Sequence, residues 1–394
     1  MNELTESHAL LNTYKRAAVK FVRGEGAKLY DSQGKEYLDF LAGLAVVSLA
    51  HAHPQVTAAI KDQAAKLLHV SNLYWTEPMM MLSQRLSQIS GGGFNVFFCN
   101  SGSEAVECAI KFARKAAGDQ RFEIVCAKQG FHGRTLGALA ATGQPAKWKG
   151  FEPLPQGFQH AEFNNLESFT AALNDQTAAV LLEPIQGEAG VFPAETDFLR
   201  GIQEICSQRG ILLIFDEIQS GCGRSGNWWA WQHYGVRPDI FVVAKGLANG
   251  LPIGACLVDQ KLAHHFQPGD HGSTFGGGPL PARAAFATLA ALEAEQLVSQ
   301  AAEKSRFLVE QLEQIPGIKN VRGIGLLIAA QLESNISALL TERVLQNGLV
   351  VNSVCPDAIR IAPPLCISRE EIAKGVKIIR ETLAALTAEL SINS

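Results

Sequence analysis

The chain has 394 residues, enough for two or three domains around a large core, and its 47% hydrophobic and 18% charged side chains exclude a disordered polymer. Its 34 basic and 38 acidic residues leave a net charge of −4, and with no basic tract or Arg-rich stripe the expected partners do not include nucleic acid. The longest apolar stretch, FLAGLAVVSLA, is too short to span a bilayer, and the N-terminus, polar and acidic before it is basic, does not read as a secretory signal.

The N-terminal stretch RGEGAKLYDSQGKEYLDF carries the turn signals of a hairpin. Short apolar runs then alternate with helix-patterned segments. Residues 94–100, 122–127, 178–184, 211–217, 239–245 and 254–259 read as buried strands. Between the first two, EAVECAIKFARKAAG repeats Ala105, Cys108, Ala109 and Phe112 at helical spacing. Near-continuous apolar strands separated by helices predict an α/β fold with a mostly parallel sheet covered on both faces. The last stretch reads differently: a long Ala-rich helix over about 281–313, strand candidates in GLLIAAQL, GLVVNSV and AIRIAPPL, then a terminal helix. The expected division is an N-terminal segment (1–45) packing with the smaller domain, a large domain (46–280) and a smaller α/β domain (281–394). The eight cysteines lack CxxC spacing, which predicts buried free thiols in a reducing cytoplasm, with no disulfide framework and no zinc site.

Two charges end apolar strands. Asp216 closes ILLIF and Lys245 closes DIFVVA. In open α/β sheets ligands bind beyond the carboxyl ends of the strands, so both residues face one crevice. A lysine in a dry crevice loses its proton readily and becomes a nucleophile for carbonyl carbon. A carboxylate there keeps a pyridine nitrogen protonated. A plain buried Asp–Lys ion pair fits these two residues equally well.

The run NSGSEAVECAIKFAR opens a helix with Asn100, Ser101, Gly102 and Ser103, a seat for phosphate or an ordinary N-cap. In GFHGRTLGA, Phe131 offers an aromatic face and Arg134 a carboxylate clamp; a packed turn with a surface Arg reads as well. Glu183 and Glu188 flank the end of LLEPIQGEAG, either as solvated loop carboxylates or with Glu188 as partner of Arg360, a lone charge in AIRIAPPL. GCGRSG (221–226) matches G-x-G-x-x-G, but it stands five residues beyond its strand and no tight βαβ helix follows, so a nicotinamide site is disfavoured. No P-loop and no metal-ligand cluster is present; His51 and His53 read as a turn before a helix.

The segment DEIQSGCGRSG, followed by a strand ending in AKGLANGLPIGA, resembles the signature of class III aminotransferases, and the match runs nearly the full chain. The N-terminal stretch through HAHPQV, together with SNLYWTEP and FHGRTLGAL, is similar to the branch of that class acting on acylated ornithines. The resemblance implies a type I pyridoxal-phosphate fold, pyridoxal 5'-phosphate as cofactor, and a cytoplasmic homodimer with shared active sites. It implies transfer of the δ-amino group of N-acetylornithine to 2-oxoglutarate, forming glutamate. Succinylornithine, ornithine and 4-aminobutyrate are the alternative donors.

By the same resemblance, Lys245 anchors the cofactor and shuttles protons, Asp216 pairs with the ring nitrogen, and Gln219 lies near the ring hydroxyl. Gly102 and Ser103 seat the phosphate, Phe131 stacks on the ring, and Thr274 reaches the phosphate of the other subunit. Arg134 and Ser273 contact the donor. Arg360 takes the α-carboxylate of glutamate or 2-oxoglutarate, with Glu188 as its switchable partner. Tyr14 and Arg16 match a motif at the substrate entrance. The chain departs from the family in having Ala50 where Gly usually precedes the first His, and Ala17 or Ala18 in place of a Pro.

Overall fold

The computed structural model describes residues 9–392. Three strands come first: β1 (Phe21–Glu25), β2 (Lys28–Asp31) and β3 (Glu36–Asp39), joined as an antiparallel meander. The large sheet follows, with β4 (Phe94–Cys99), β5 (Glu123–Ala127), β6 (Phe158–Ala161) and β7 (Thr177–Leu182). A two-stranded ribbon, β8 (Ile185–Gln186) and β9 (Phe192–Pro193), precedes β10 (Leu212–Asp216), β11 (Ile240–Val243) and β12 (Gly254–Asp259).

The large sheet runs β4-β12-β11-β10-β7-β5-β6. Its β10 pairs in parallel with β7 and β11, whereas β12 runs antiparallel to both its neighbours. The link between β11 and β12 is too short for a crossover helix, which leaves only the antiparallel return. Strand β6 is absent from the sequence-based expectation. Its FQHA is short and half exposed, an edge strand with no apolar run to announce it. The helix Gly102–Ala117 lies on the sheet with Ala105, Cys108, Ala109 and Phe112 all buried.

In the C-terminal part, β13 (Ile318–Ile324), β14 (Leu327–Leu332), β15 (Leu349–Val350), β16 (Asn352–Cys355) and β17 (Ala358–Ile361) follow two helices. The single helix expected over about 281–313 is two, Pro279–Ala294 and Leu297–Glu313. Gln296 breaks it with a φ of +55°, a left-handed turn that the helix-forming composition does not signal. GLVVNSV likewise divides. Its first half, β15, pairs in parallel with β3, and its second half, β16, joins the antiparallel sheet β13-β14-β17-β16. The N-terminal meander and the C-terminal part therefore share one sheet. Ala50 adopts a φ of +62°, the region that favours glycine and costs another residue roughly 1–2 kcal/mol.

The eight cysteines are free thiols, six of them buried. Among the described residues there is no group of side chains placed to hold a metal ion, and no helix is long and apolar enough to cross a membrane.

Candidate active site

A crevice of about 290 Å³ opens at the carboxyl ends of β5, β7 and β10, the end where α/β sheets bind ligands. Asp216, Lys245, Phe131, Gly102, Ser103 and Gln219 all line it, with Glu183 and Glu188 on the same wall. Sequence positions more than a hundred apart meet there because neighbouring parallel strands deliver their ends to one edge.

Lys245 lies two residues past the end of β11 and takes a φ of +37°, a strained conformation for a side chain with a Cβ. Burial lowers its pKa below the usual lysine value, although Glu188 pulls the other way. Among the described residues its ammonium makes no ion pair or hydrogen bond. The alternative of a direct Asp216–Lys245 ion pair is therefore not how Asp216 is satisfied. Instead Asp216 Oδ2 lies 2.8 Å from His132 Nδ1, and its Oδ1 accepts from the Ile218 N–H at 3.0 Å. His132 is buried; desolvation opposes its cation, but the hydrogen bond to Asp216 and the charges of Asp216 and Glu183 more than offset it, so its pKa is raised.

The lowered lysine predicts how the site reacts. Neutral amine is the nucleophile, so a depressed pKa makes Lys245 reactive at lower pH than a free lysine. Modification of Lys245 by a small aldehyde, quantified by mass spectrometry, should rise with pH and level off below the usual value of about 10.4. A midpoint at or above that value contradicts the reading of Lys245 as a dry lysine.

The helix Gly102–Ala117 starts at the crevice with Ser101 as N-cap, accepting from Glu104 N. Its free N–H groups and partial positive charge make this wall a cradle for an anion. A Cβ on Gly102 would come within 2.7 Å of Ile218 Cδ1, so a larger residue there would have to displace the Ile218 side chain. Ser103 Oγ accepts from Arg134 N at 3.1 Å, which ties the helix start to the Phe131 loop. The Arg134 guanidinium stands 5.6 Å from the Phe131 ring centre and is exposed.

A second polar cluster joins two sheets. Arg360, on β17, is 1% exposed, and its Nη1 donates to Glu188 Oε1 at 2.5 Å, Gln219 Oε1 at 3.1 Å and Gly187 O at 3.2 Å. Its Nε donates to Asn352 Oδ1 at 3.2 Å. Burial works against the Glu188 anion, yet Arg360 holds it below the ordinary carboxylate range. A Cβ at Gly187 would fall 1.7 Å from Gln219 Oε1, so glycine is what lets the cluster close.

Ser273 sits just behind the crevice, its Oγ accepting from Asn100 Nδ2 at 3.2 Å. Thr274 is exposed and is not among this chain's lining residues. Tyr14 is also exposed, with Arg16 5.5 Å from its ring centre. GCGRSG forms a buried turn. Its Arg224 donates from Nη1 to Leu326 O at 3.1 Å and Pro363 O at 2.5 Å, fastening the loop to the C-terminal part rather than facing the crevice. His51 binds Asp39 at 2.8 Å and His53 caps the helix Pro54–Ala64, as a turn would.

Sequence reasoning gave no role to His132 or Asn352. Neither follows an apolar pattern, and each acts through a partner at least eight positions away. Glu183 was read as a loop carboxylate, but it is buried, which pushes its pKa up to about 7.

The chain as a whole is similar to known proteins. The family model for "Aminotransferase class-III" matches residues 11–383. An acetylornithine aminotransferase of Archaeoglobus fulgidus is 45% identical over 374 residues, 95% of this chain and 98% of that one. One from Aquifex aeolicus is also 45% identical, over 95% of this chain and 99% of its own. Among solved structures, the ornithine aminotransferase of Toxoplasma gondii superposes with a TM-score of 0.92 at 31% identity, covering 97% of this chain and 94% of that one. The N-acetylornithine aminotransferase of Stenotrophomonas maltophilia gives 0.84 at 35% identity, over 95% and 98% of the two chains. A family match over nearly the whole length, on a fold that puts a lysine and an aspartate in one crevice, makes this chain a member of the class III aminotransferases.

Proposed function

We propose that this aminotransferase moves the δ-amino group of N2-acetyl-L-ornithine to 2-oxoglutarate, giving N-acetyl-L-glutamate 5-semialdehyde and L-glutamate, in arginine biosynthesis in the cytoplasm. Pyridoxal 5'-phosphate is the proposed cofactor. The observation that carries the reading is the crevice itself, where an unpaired Lys245 shares a wall with Asp216 and an anion cradle. The acetylornithine aminotransferases above, at 45% identity over nearly full length, support the donor.

The residues present fit that cofactor. Asp216 offers the carboxylate for a pyridinium, Phe131 the ring cover, Gln219 a polar group for the ring hydroxyl, and Gly102 and Ser103 the phosphate seat. When bound, pyridoxal phosphate supplies an aldehyde that takes up the amine and a ring that withdraws electrons from the reacting carbon. Lys245, whose burial makes its amine easier to deprotonate, is the residue that would hold the cofactor, and its Nζ would carry the proton lost from the carbon bearing the amine. Asp216, fixed by His132 and the Ile218 N–H, is the carboxylate that would pair with the protonated ring nitrogen. Arg134 and Ser273 orient the acylated donor. Arg360 receives the α-carboxylate of 2-oxoglutarate once Glu188 moves aside.

The site is read as a property of a homodimer. Thr274 is exposed, as are the nearby Phe275 and the apolar Leu73, Tyr74 and Trp75, and a second copy is proposed to bury them and bring its Thr274 to this chain's phosphate seat. The partition into 1–45, 46–280 and 281–394 is proposed on the same footing, with Arg360 crossing from the smaller domain to Glu188.

The donor is tested by one panel: acetylornithine, succinylornithine, ornithine and 4-aminobutyrate, each with 2-oxoglutarate and pyridoxal phosphate. Acetylornithine is expected to give the highest kcat/KM by tenfold or more, about 1.4 kcal/mol of discrimination. A preference for unmodified ornithine would overturn the acyl assignment and leave the aminotransferase standing.

A further inference from the structure

One buried acid beside the crevice has no role in the steps above. Glu183 stands just past β7, the strand between β5 and β10, so it lies between the ends that deliver Phe131 with His132 and Asp216. Its Oε2 accepts from the Phe131 N–H at 2.8 Å, and its Oε1 from the Gly187 N–H at 3.4 Å. One carboxylate thus ties the loop that carries the aromatic cover to the loop that carries Glu188. The same Oε2 lies in the neighbourhood of His132: a Cβ built on Gly130 would lie 3.6 Å from Glu183 Oε2 and 3.3 Å from His132 Nε2. That Nε2 is buried without a hydrogen-bond partner, while the Nδ1 of the same ring is bound to Asp216.

We infer that Glu183 is a positioning residue of this site: bound to the Phe131 and Gly187 N–H groups, it fixes Phe131 over the cofactor ring and stands beside the His132 ring that binds Asp216. The inference rests on the proposed cofactor. The groups facing the row are Asp216 and Lys245 around Glu183, and His160 beside His132. With Asp216 bound to it and Glu183 nearby, the His132 imidazolium is stabilised, and each Asp216 oxygen has a hydrogen-bonding partner. Burying a carboxylate here costs stability, which its two N–H donors only partly offset; that cost fits a residue retained for the site rather than for the fold.

Glu183→Gln tests this without changing size. It removes the charge, and its amide turns an NH2 towards one of the two N–H donors. The variant is expected to take up pyridoxal phosphate and turn yellow. The pH midpoint of that colour change should fall, because the protonated chromophore loses a nearby negative charge. Turnover should drop about tenfold, with KM for the donor within about threefold. In a His132→Gln background, Glu183→Gln should add little to either loss, since the two act as one unit. Thermal unfolding of apo and cofactor-loaded protein separates a structural role, which lowers both alike, from a positioning role, which shrinks the gap between them. A wild-type colour midpoint and turnover in Glu183→Gln, or losses that multiply in the double variant, would overturn the inference. If Glu183→Gln does not fold, His132→Gln alone decides: an unshifted colour midpoint overturns it. A wild-type protein that stays colourless with pyridoxal phosphate defeats the proposed cofactor instead.

Discussion

Lys245→Ala is expected to reduce transamination by more than about a thousandfold and to leave a protein that no longer turns yellow with pyridoxal phosphate. The magnitude follows from two losses at one atom. The covalent anchor that makes capture of the aldehyde intramolecular disappears, and so does the proton carrier, itself worth about 10²–10⁴ in rate. The structure also says what should not change. The Lys245 side chain makes no hydrogen bond or ion pair among the described residues, so its removal strands no buried partner, and a shift in unfolding free energy of about 1 kcal/mol or less is expected. The variant should fold, remain colourless and still be protected against unfolding by pyridoxal phosphate, because the cradle at Gly102 and Ser103 and the Phe131 cover are intact. Absorbance, activity and thermal unfolding of one preparation check all three. Normal turnover in this variant would defeat the assignment of Lys245 outright.

Why Lys245 stood out in the sequence, and His132 did not, has a physical basis. A charge that ends an apolar strand must be solvated or matched, so Asp216 and Lys245 advertise themselves in ILLIFD and DIFVVAK. Arg360 does the same inside AIRIAPPL, which is why Glu188, in a loop of the other sheet, could be offered as its partner from the residues alone. His132 sits in a turn among glycines where an exposed histidine would be unremarkable. Its burial comes from the Asp216 strand, 84 positions away. Glu183 is concealed in the same way, since LLEPIQ reads as a strand leaving the core, yet the chain stays buried through Gln186.

The fold divides along a similar line. Runs flanked by turns were legible, and β4, β5, β7, β10, β11 and β12 all fall on them, whereas their order in the sheet and the antiparallel setting of β12 do not follow from the runs. Elements that depend on distant chain were not. Strand β15 exists because β3 offers it an edge, and the bend at Gln296 directs the second long helix towards the terminal helix and β13. Propensity carries no information about either contact.

Arg360→Ala is expected to slow the half-reaction with 2-oxoglutarate by about 10²–10³ and the half-reaction with the acylated ornithine by less than about tenfold. The asymmetry comes from what each substrate presents. In the proposed reaction the donor reacts through its distal amine, with its carboxylate and acyl group assigned to Arg134 and Ser273. The acceptor brings its α-carboxylate to the reacting carbon, where Arg360 is the buried cation able to meet it. Losing one member of a buried charge-assisted pair costs about 2–5 kcal/mol, which sets the predicted range. Glu188 makes the arrangement selective. While it holds Arg360 at 2.5 Å, the guanidinium is occupied and a distal amine enters without an unmatched cation beside it. Glu188 is partly exposed, so it has water to turn to when a carboxylate displaces it, whereas Arg360 has none. Glu188→Gln should accordingly weaken the preference from the opposite side, by letting α-amino donors such as glutamate compete at all times. Stopped-flow absorbance separates the two halves: the donor bleaches the yellow colour and 2-oxoglutarate restores it. If Arg360→Ala slows both steps by the same factor, the pair is a structural tie between the two sheets and not a switch.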